Sequence, residues 1–106
     1  MTPHWLTVCA KEDIPAGEWI TFDTGVEELL IINLEGDIYA IQDLCTHDGG
    51  NLADGQLDGD EIVCPRHGAR FCVKTGRVTT PPAYEDIKAF PTRIQNGMIE
   101  VELDEI

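Results

Sequence analysis

The chain has 106 residues, 42% of them hydrophobic, which fits one domain with a modest core spanning 1–106. Seven Lys+Arg against twenty Asp+Glu leave a net charge of −13. That balance excludes general nucleic-acid binding and docking on anionic membranes, both of which need cationic side chains against phosphate.

From Met1 to Ala10 no basic cluster precedes an apolar run, so no leader is expected. The longest strongly apolar stretch, Leu29-Leu30-Ile31-Ile32, is far short of a bilayer span. The expected compartment is the cytoplasm, where Cys9, Cys45, Cys64 and Cys72 read as metal ligands or buried thiols before disulfides. Short strands are predicted at Trp19–Phe22, Glu28–Asn33, Ile38–Ile41, Glu61–Val63, Arg70–Val73 and Met98–Leu103. The last alternates, with Met98, Glu100 and Glu102 on one face and Ile99, Val101 and Leu103 on the other. Asn96-Gly97 joins it to Thr92–Gln95 as a two-residue hairpin, and Glu35-Gly36, Asp58-Gly59 and Thr75-Gly76 are weaker turn signals. The fold expected is all-β, an antiparallel β-sandwich or barrel. Two segments break the meander: Cys45 to Gly55, rich in Gly, Asp and Asn, and Cys64 to Gly68. Loops of this kind in a small domain are usually functional.

Those loops carry Cys45-Thr46-His47 and Cys64-Pro65-Arg66-His67, with sixteen residues between them. Each arm offers one thiol and one imidazole. Any of these residues alone would read as a buried thiol or a surface imidazole, but the set does not. A tetrahedral zinc accepts two Cys and two His, yet zinc spacings commonly pair like with like, and here each arm is mixed. In extended backbone, residues two apart are roughly 6.5–7 Å apart at Cα, so one arm can reach two adjacent metals. Two thiolates on one iron and two imidazoles on the other is the Rieske arrangement of a 2Fe–2S cluster.

Cys45-Thr46-His47 and Cys64-Pro65-Arg66-His67-Gly68 resemble the two cluster-binding boxes of Rieske proteins. The chain is similar over nearly its whole length to the small soluble Rieske ferredoxins of bacterial ring-hydroxylating oxygenase systems. Supporting features are Trp5-Leu6-Thr7-Val8-Cys9, Asp37-Ile38-Tyr39-Ala40-Ile41 before the first box, Thr75-Gly76 after the second, and Pro81-Pro82-Ala83 where such proteins carry a proline loop over the cluster. The resemblance implies one 2Fe–2S cluster per chain, held by Cys45 and Cys64 on the inner iron and His47 and His67 on the outer one, in a cluster-binding subdomain of about 43–84. It implies a monomeric electron carrier, not an enzyme, passing one electron from a flavin-dependent reductase to a terminal oxygenase. The alternatives are a Rieske-like small subunit of an assimilatory nitrite reductase, a zinc-stabilised interaction module, and a regulatory cluster sensor.

With neutral imidazoles the oxidised cluster carries no net charge, which eases reduction relative to an all-Cys cluster. High-potential Rieske proteins add a disulfide and a hydroxyl near the cluster. The matching positions here are Gly50, Arg66 and Ala69, so both are missing and a low potential is expected. Alternation puts Cys72 with Arg70 and Lys74, opposite Ala69, Phe71 and Val73, as a plain strand cysteine. Cys9 reads as a small buried hydrophobe, His4 as an exposed terminal residue, and Trp5 and Trp19 as packing residues. Asp43, Asp48, Asp54, Asp58, Asp60 and Glu61 lack calcium-loop spacing and read as solvated acids. Arg66, Arg70, Lys74 and Arg77 lie in a stretch without acids; they either orient docking by a charge dipole or pair with nearby acids.

Overall fold

A computed structural model describes residues 3–104, so the two residues at each end of the expected 1–106 span lie outside it. Its strands are β1 (Pro3–Ala10), β2 (Trp19–Asp23), β3 (Glu28–Leu34), β4 (Asp37–Gln42), β5 (Gln56–Asp58), β6 (Glu61–Val63), β7 (Arg70–Cys72), β8 (Val78–Thr80), β9 (Ala89–Phe90), β10 (Thr92–Gln95) and β11 (Met98–Asp104). They form three antiparallel sheets, ordered β1-β11-β10, β2-β3-β4-β9 and β5-β6-β7-β8. Among the described residues no helix is long and apolar enough to cross a membrane.

The second sheet is the middle layer, and β3 explains why. Leu29, Leu30, Ile31 and Ile32 are all fully buried, so their unbroken apolar run reflects a strand covered on both faces. Leu29 and Ile31 pack with Ile14, Ala40, Phe90, Ile99 and Val101, the core shared with β11. Leu30 and Ile32 face the opposite way, into a core with Ile41, Ile62, Phe71, Val73 and the thiols Cys45 and Cys64. One strand thus couples the sandwich to the layer that carries both candidate ligand loops. In β11, Ile99 and Val101 are buried while Met98, Glu100 and Glu102 are not, as the alternation predicts.

Asn96 (φ 54°) and Gly97 (φ 78°) both take the left-handed conformation that a primed two-residue hairpin demands. Glu35 (φ 54°) and Gly36 (φ 98°) do the same between β3 and β4, so the weaker signal yields an equivalent turn. Four strands escape the sequence reading: β1, β5, β8 and β9. Three of these are too short to show a period, and β1 slips register between Thr7 and Cys9, which breaks its alternation. Cys9 is half-buried, not fully enclosed, while His4 is exposed as expected.

Candidate metal centre

The first loop leaves β4 at Gln42 and the second leaves β6 at Val63. Both fold the same way after their cysteine. Cys45 donates its backbone N–H to Gly50 O (2.7 Å) and accepts at its carbonyl from Gly49 N–H (2.8 Å). Cys64 donates to Ala69 O (2.7 Å) and accepts from Gly68 N–H (3.1 Å). Each turn closes on a glycine in the left-handed region, Gly49 (φ 76°) and Gly68 (φ 79°), where a side chain would be strained. The sequence therefore encodes two like turns, Cys-Thr-His-Asp-Gly and Cys-Pro-Arg-His-Gly. The imidazole sits one position later in the second.

These turns bring three of the four expected residues, Cys45, Cys64 and His67, into one donor group; Asp48 is in that group and His47 is not, its ring meeting that of His67. Cys45 and Cys64 are buried, His47 is exposed and His67 is half-buried. Donor atoms of Cys45, Cys64 and His67, with Asp48, lie within 4.8 Å of one another. The His47 and His67 rings meet edge-on with centroids 4.4 Å apart. Cys64 Sγ is 3.9 Å from His67 Nε2, and the buried His67 Nδ1 has no hydrogen-bond partner. Burial pushes the Cys45 thiol up, opposed by the His47 and Asp48 backbone N–H groups that point at its sulfur; the neighbouring Cys64 thiol raises it further. A thiolate there requires a cation beside it.

Three supports hold the loops. Asp43 is buried, and its carboxylate accepts from Leu52 N–H (2.6 Å), Ala53 N–H (3.0 Å) and Asn51 Nδ2 (2.9 Å). It is not the solvated acid expected from its company, because its loop folds back over it. Trp19 packs against the same core and donates from Nε1 to Ala53 O at 3.0 Å. A third loop, whose Pro81–Pro82 bond is cis, is tied down where Thr46 Oγ1 donates to Glu85 O at 2.6 Å; Ala83 is buried and Tyr84 is 79% exposed.

The basic stretch is largely neutralised. Arg66 pairs with Asp48, whose carboxyl is held well below the usual range first by that guanidinium and then by the Gly50 N–H. Arg70 pairs with Asp58 (2.7 Å) and Glu61 (3.3 Å). Among the described residues Lys74 and Arg77 are exposed and make no ion pair. The pairing alternative therefore holds for two of the four cations. Asp48, expected as a solvated acid, instead holds Arg66, the Gly50 N–H and His67; its only signal in the sequence is its place beside His47.

Residues 4–91 match the Rieske [2Fe-2S] domain. The chain belongs to the Rieske [2Fe-2S] family. It is 36% identical over 104 residues to the ferredoxin component of the naphthalene 1,2-dioxygenase/salicylate 5-hydroxylase systems of a Ralstonia species, covering 98% of this chain and 100% of that one. It is 35% identical to a chain in the complex of reduced oxygenase and oxidised ferredoxin of carbazole 1,9a-dioxygenase, with a TM-score of 0.86 and 92% and 91% of the two chains covered. A Mycobacterium tuberculosis protein described as an NADH-dependent nitrite reductase small subunit reaches a TM-score of 0.86 over 100% of both chains, but at 17% identity this shows the fold alone.

The cofactor of this Rieske domain is a [2Fe-2S] cluster, which displaces the zinc reading. The donor set fits it. Two buried thiols stand beside the His67 ring, whose Nε2 lies 3.9 Å from Cys64 Sγ and whose buried Nδ1 has no partner, an orphaned donor set that a soft cation would complete.

Proposed function

We propose that this protein is a monomeric, cytoplasmic one-electron carrier that accepts an electron from a flavin-dependent reductase and delivers it to a terminal ring-hydroxylating oxygenase. Cys45 and Cys64 would hold the inner iron and His47 and His67 the outer, within a cluster-binding subdomain of about 43–84. When bound, the cluster accepts and returns one electron.

The observation that carries this reading is the division of the donors. Cys45 and Cys64 are enclosed in the core, while His47 is exposed and His67 half-buried, so the imidazole edges form the shortest route outward. The apolar core around the thiols excludes water from their side, and the Thr46–Glu85 bond ties the third loop to the residue before His47. The ferredoxin-component relatives support the carrier role, and the carbazole dioxygenase complex supports an oxygenase as recipient. The net charge of −13 favours partners with cationic docking faces, so transfer rates should fall as salt screens that attraction.

The test is a stopped-flow cycle: reduction by a flavin-dependent NADH reductase, then mixing with a ring-hydroxylating oxygenase. One electron per chain should pass in each half-cycle. Reduction without reoxidation by the oxygenase would refute the assignment of recipient.

A second expectation concerns the potential. Ala69 is fully buried in the turn that closes on Cys64, and it offers no hydroxyl there. Fewer donors near the cluster leave the reduced form less stabilised, placing the midpoint near the bottom of the Rieske range, about −150 mV. Ala69→Ser should raise it, as read by voltammetry. A parent midpoint well above 0 mV, or no rise in the variant, would refute this account.

A further inference from the structure

One side-chain unit other than the four expected ligands joins the two ligand loops. Arg66, in the second loop, reaches across the first. Its Nε donates to Asp48 Oδ2 at 2.5 Å, and its Nη2 donates to Asp48 Oδ1 at 3.2 Å and to Asn51 O at 2.9 Å. Asp48 Oδ1 also accepts the Gly50 N–H at 2.8 Å, and Oδ2 lies 2.9 Å from His67 Nε2. Asp48 therefore contacts its own loop, the opposing arginine and one imidazole at once.

Gly50 makes the contact possible. A Cβ there would lie 2.6 Å from Arg66 Cζ and Nη2, so the guanidinium occupies the space a side chain would fill. Gly50 is not in the left-handed region, unlike Gly49 beside it. The turn does not require this glycine; the arginine does. No two of the four cysteines are joined in a disulfide, so none links the loops.

We propose that Asp48 and Arg66 form an electrostatic latch, a positioning pair that holds the two loops closed over the cluster and sets opposite charges beside it. The proposal rests on the reading that these loops hold the cluster. An exposed ion pair adds little to global stability. A bidentate arginine–carboxylate pair bridging two loops acts instead on local opening, the motion that releases the cluster.

The test uses the cluster-loaded full chain and three variants: Arg66→Met, Asp48→Asn and Gly50→Ala. Each should lose its cluster to an iron chelator about tenfold faster than the parent, the scale on which outer-shell partners of metal ligands act. The double variant Asp48→Asn/Arg66→Met should be no faster than either single one, since both remove the same interaction. Midpoints should move oppositely. Arg66→Met leaves a carboxylate uncompensated and lowers the potential; Asp48→Asn leaves a guanidinium uncompensated and raises it. A merely structural role would not produce that opposition. Gly50→Ala changes no charge and no ligand, so it should shorten cluster lifetime with the midpoint near the parent's, and it carries the test should either charge variant fail to assemble. Lifetimes within twofold of the parent, or midpoints shifting in the same direction, overturn the latch. Iron and sulfide content of the parent tests the underlying cluster reading separately.

Discussion

Replacing either His47 or His67 with alanine is expected to abolish the Rieske-type optical and EPR spectra. Those spectra report one iron with nitrogen donors beside one with sulfur donors, and in the proposed ligand set each imidazole supplies half of the nitrogen donors. The two rings stand 4.4 Å apart at the ends of like turns, so neither can take over the other's position. The controls are as informative as the losses. His4, Cys9 and Cys72 are the other imidazole and thiols of the chain, and all three lie on strands, not on the two ligand loops. Cys72 faces Glu61 across β6–β7, and Cys9 packs against the sandwich core. His4→Ala, Cys9→Ser and Cys72→Ser should therefore retain the parent spectra with two iron and two sulfide per chain. Survival of the spectra in either histidine variant, or their loss in Cys72→Ser with the fold intact, would refute the ligand set.

The donors are legible in the sequence because their chemistry is local: a thiol and an imidazole two or three residues apart, twice, on Gly-rich loops. Strands with a clean period or a hairpin signal are legible for the same reason. What could not be read is long-range. Leu29 to Ile32 looks like one apolar run, and only the three-layer packing shows that its residues serve two cores in alternation. In the sequence Gly50 is only a position where a disulfide is missing, and Arg66 is that and one of the four basic residues in a stretch without acids. Their contact depends on how two loops meet, which no spacing within either loop encodes. The four basic residues leave a dipole and local pairing equally open, and only the fold shows that Arg66 and Arg70 find acids from loop and strand neighbours in space. Asp43 was hidden by its company, one acid among six over Asp43–Glu61.

Asp43→Ala should be strongly destabilising although Asp43 is not among the expected ligands. The side chain is 6% exposed and its carboxylate receives two backbone N–H groups and one amide from the segment Asn51–Ala53. Removing it leaves the Leu52 and Ala53 N–H groups without their acceptor, one of them buried, and each orphaned donor costs about 1–3 kcal/mol. Leu52 is itself fully buried in the core that contains Cys45 and Cys64, so the damage passes directly to the cluster loops. A total near 3 kcal/mol is expected, equivalent to a drop of roughly 15 °C in melting temperature for a domain of this size. Asp43→Asn keeps an acceptor oxygen but loses charge assistance, and should cost only about 1 kcal/mol. Trp19→Phe is the complementary probe, since it removes the single indole bond to Ala53 O from the other side of the same segment. Thermal unfolding of the cluster-loaded proteins should rank them parent, then Asp43→Asn, then Asp43→Ala, with cluster bleaching in Asp43→Ala preceding loss of the strand signal in far-UV circular dichroism. That order follows because Leu52 and Ala53 belong to the first ligand loop, whereas β11 and the Leu29/Ile31 face of β3 are held by the other core, with Ala40, Ile99 and Val101. An Asp43→Ala protein that melts within 2–3 °C of the parent would show that water can replace the carboxylate, and that the loop is positioned by the cluster and Trp19 instead.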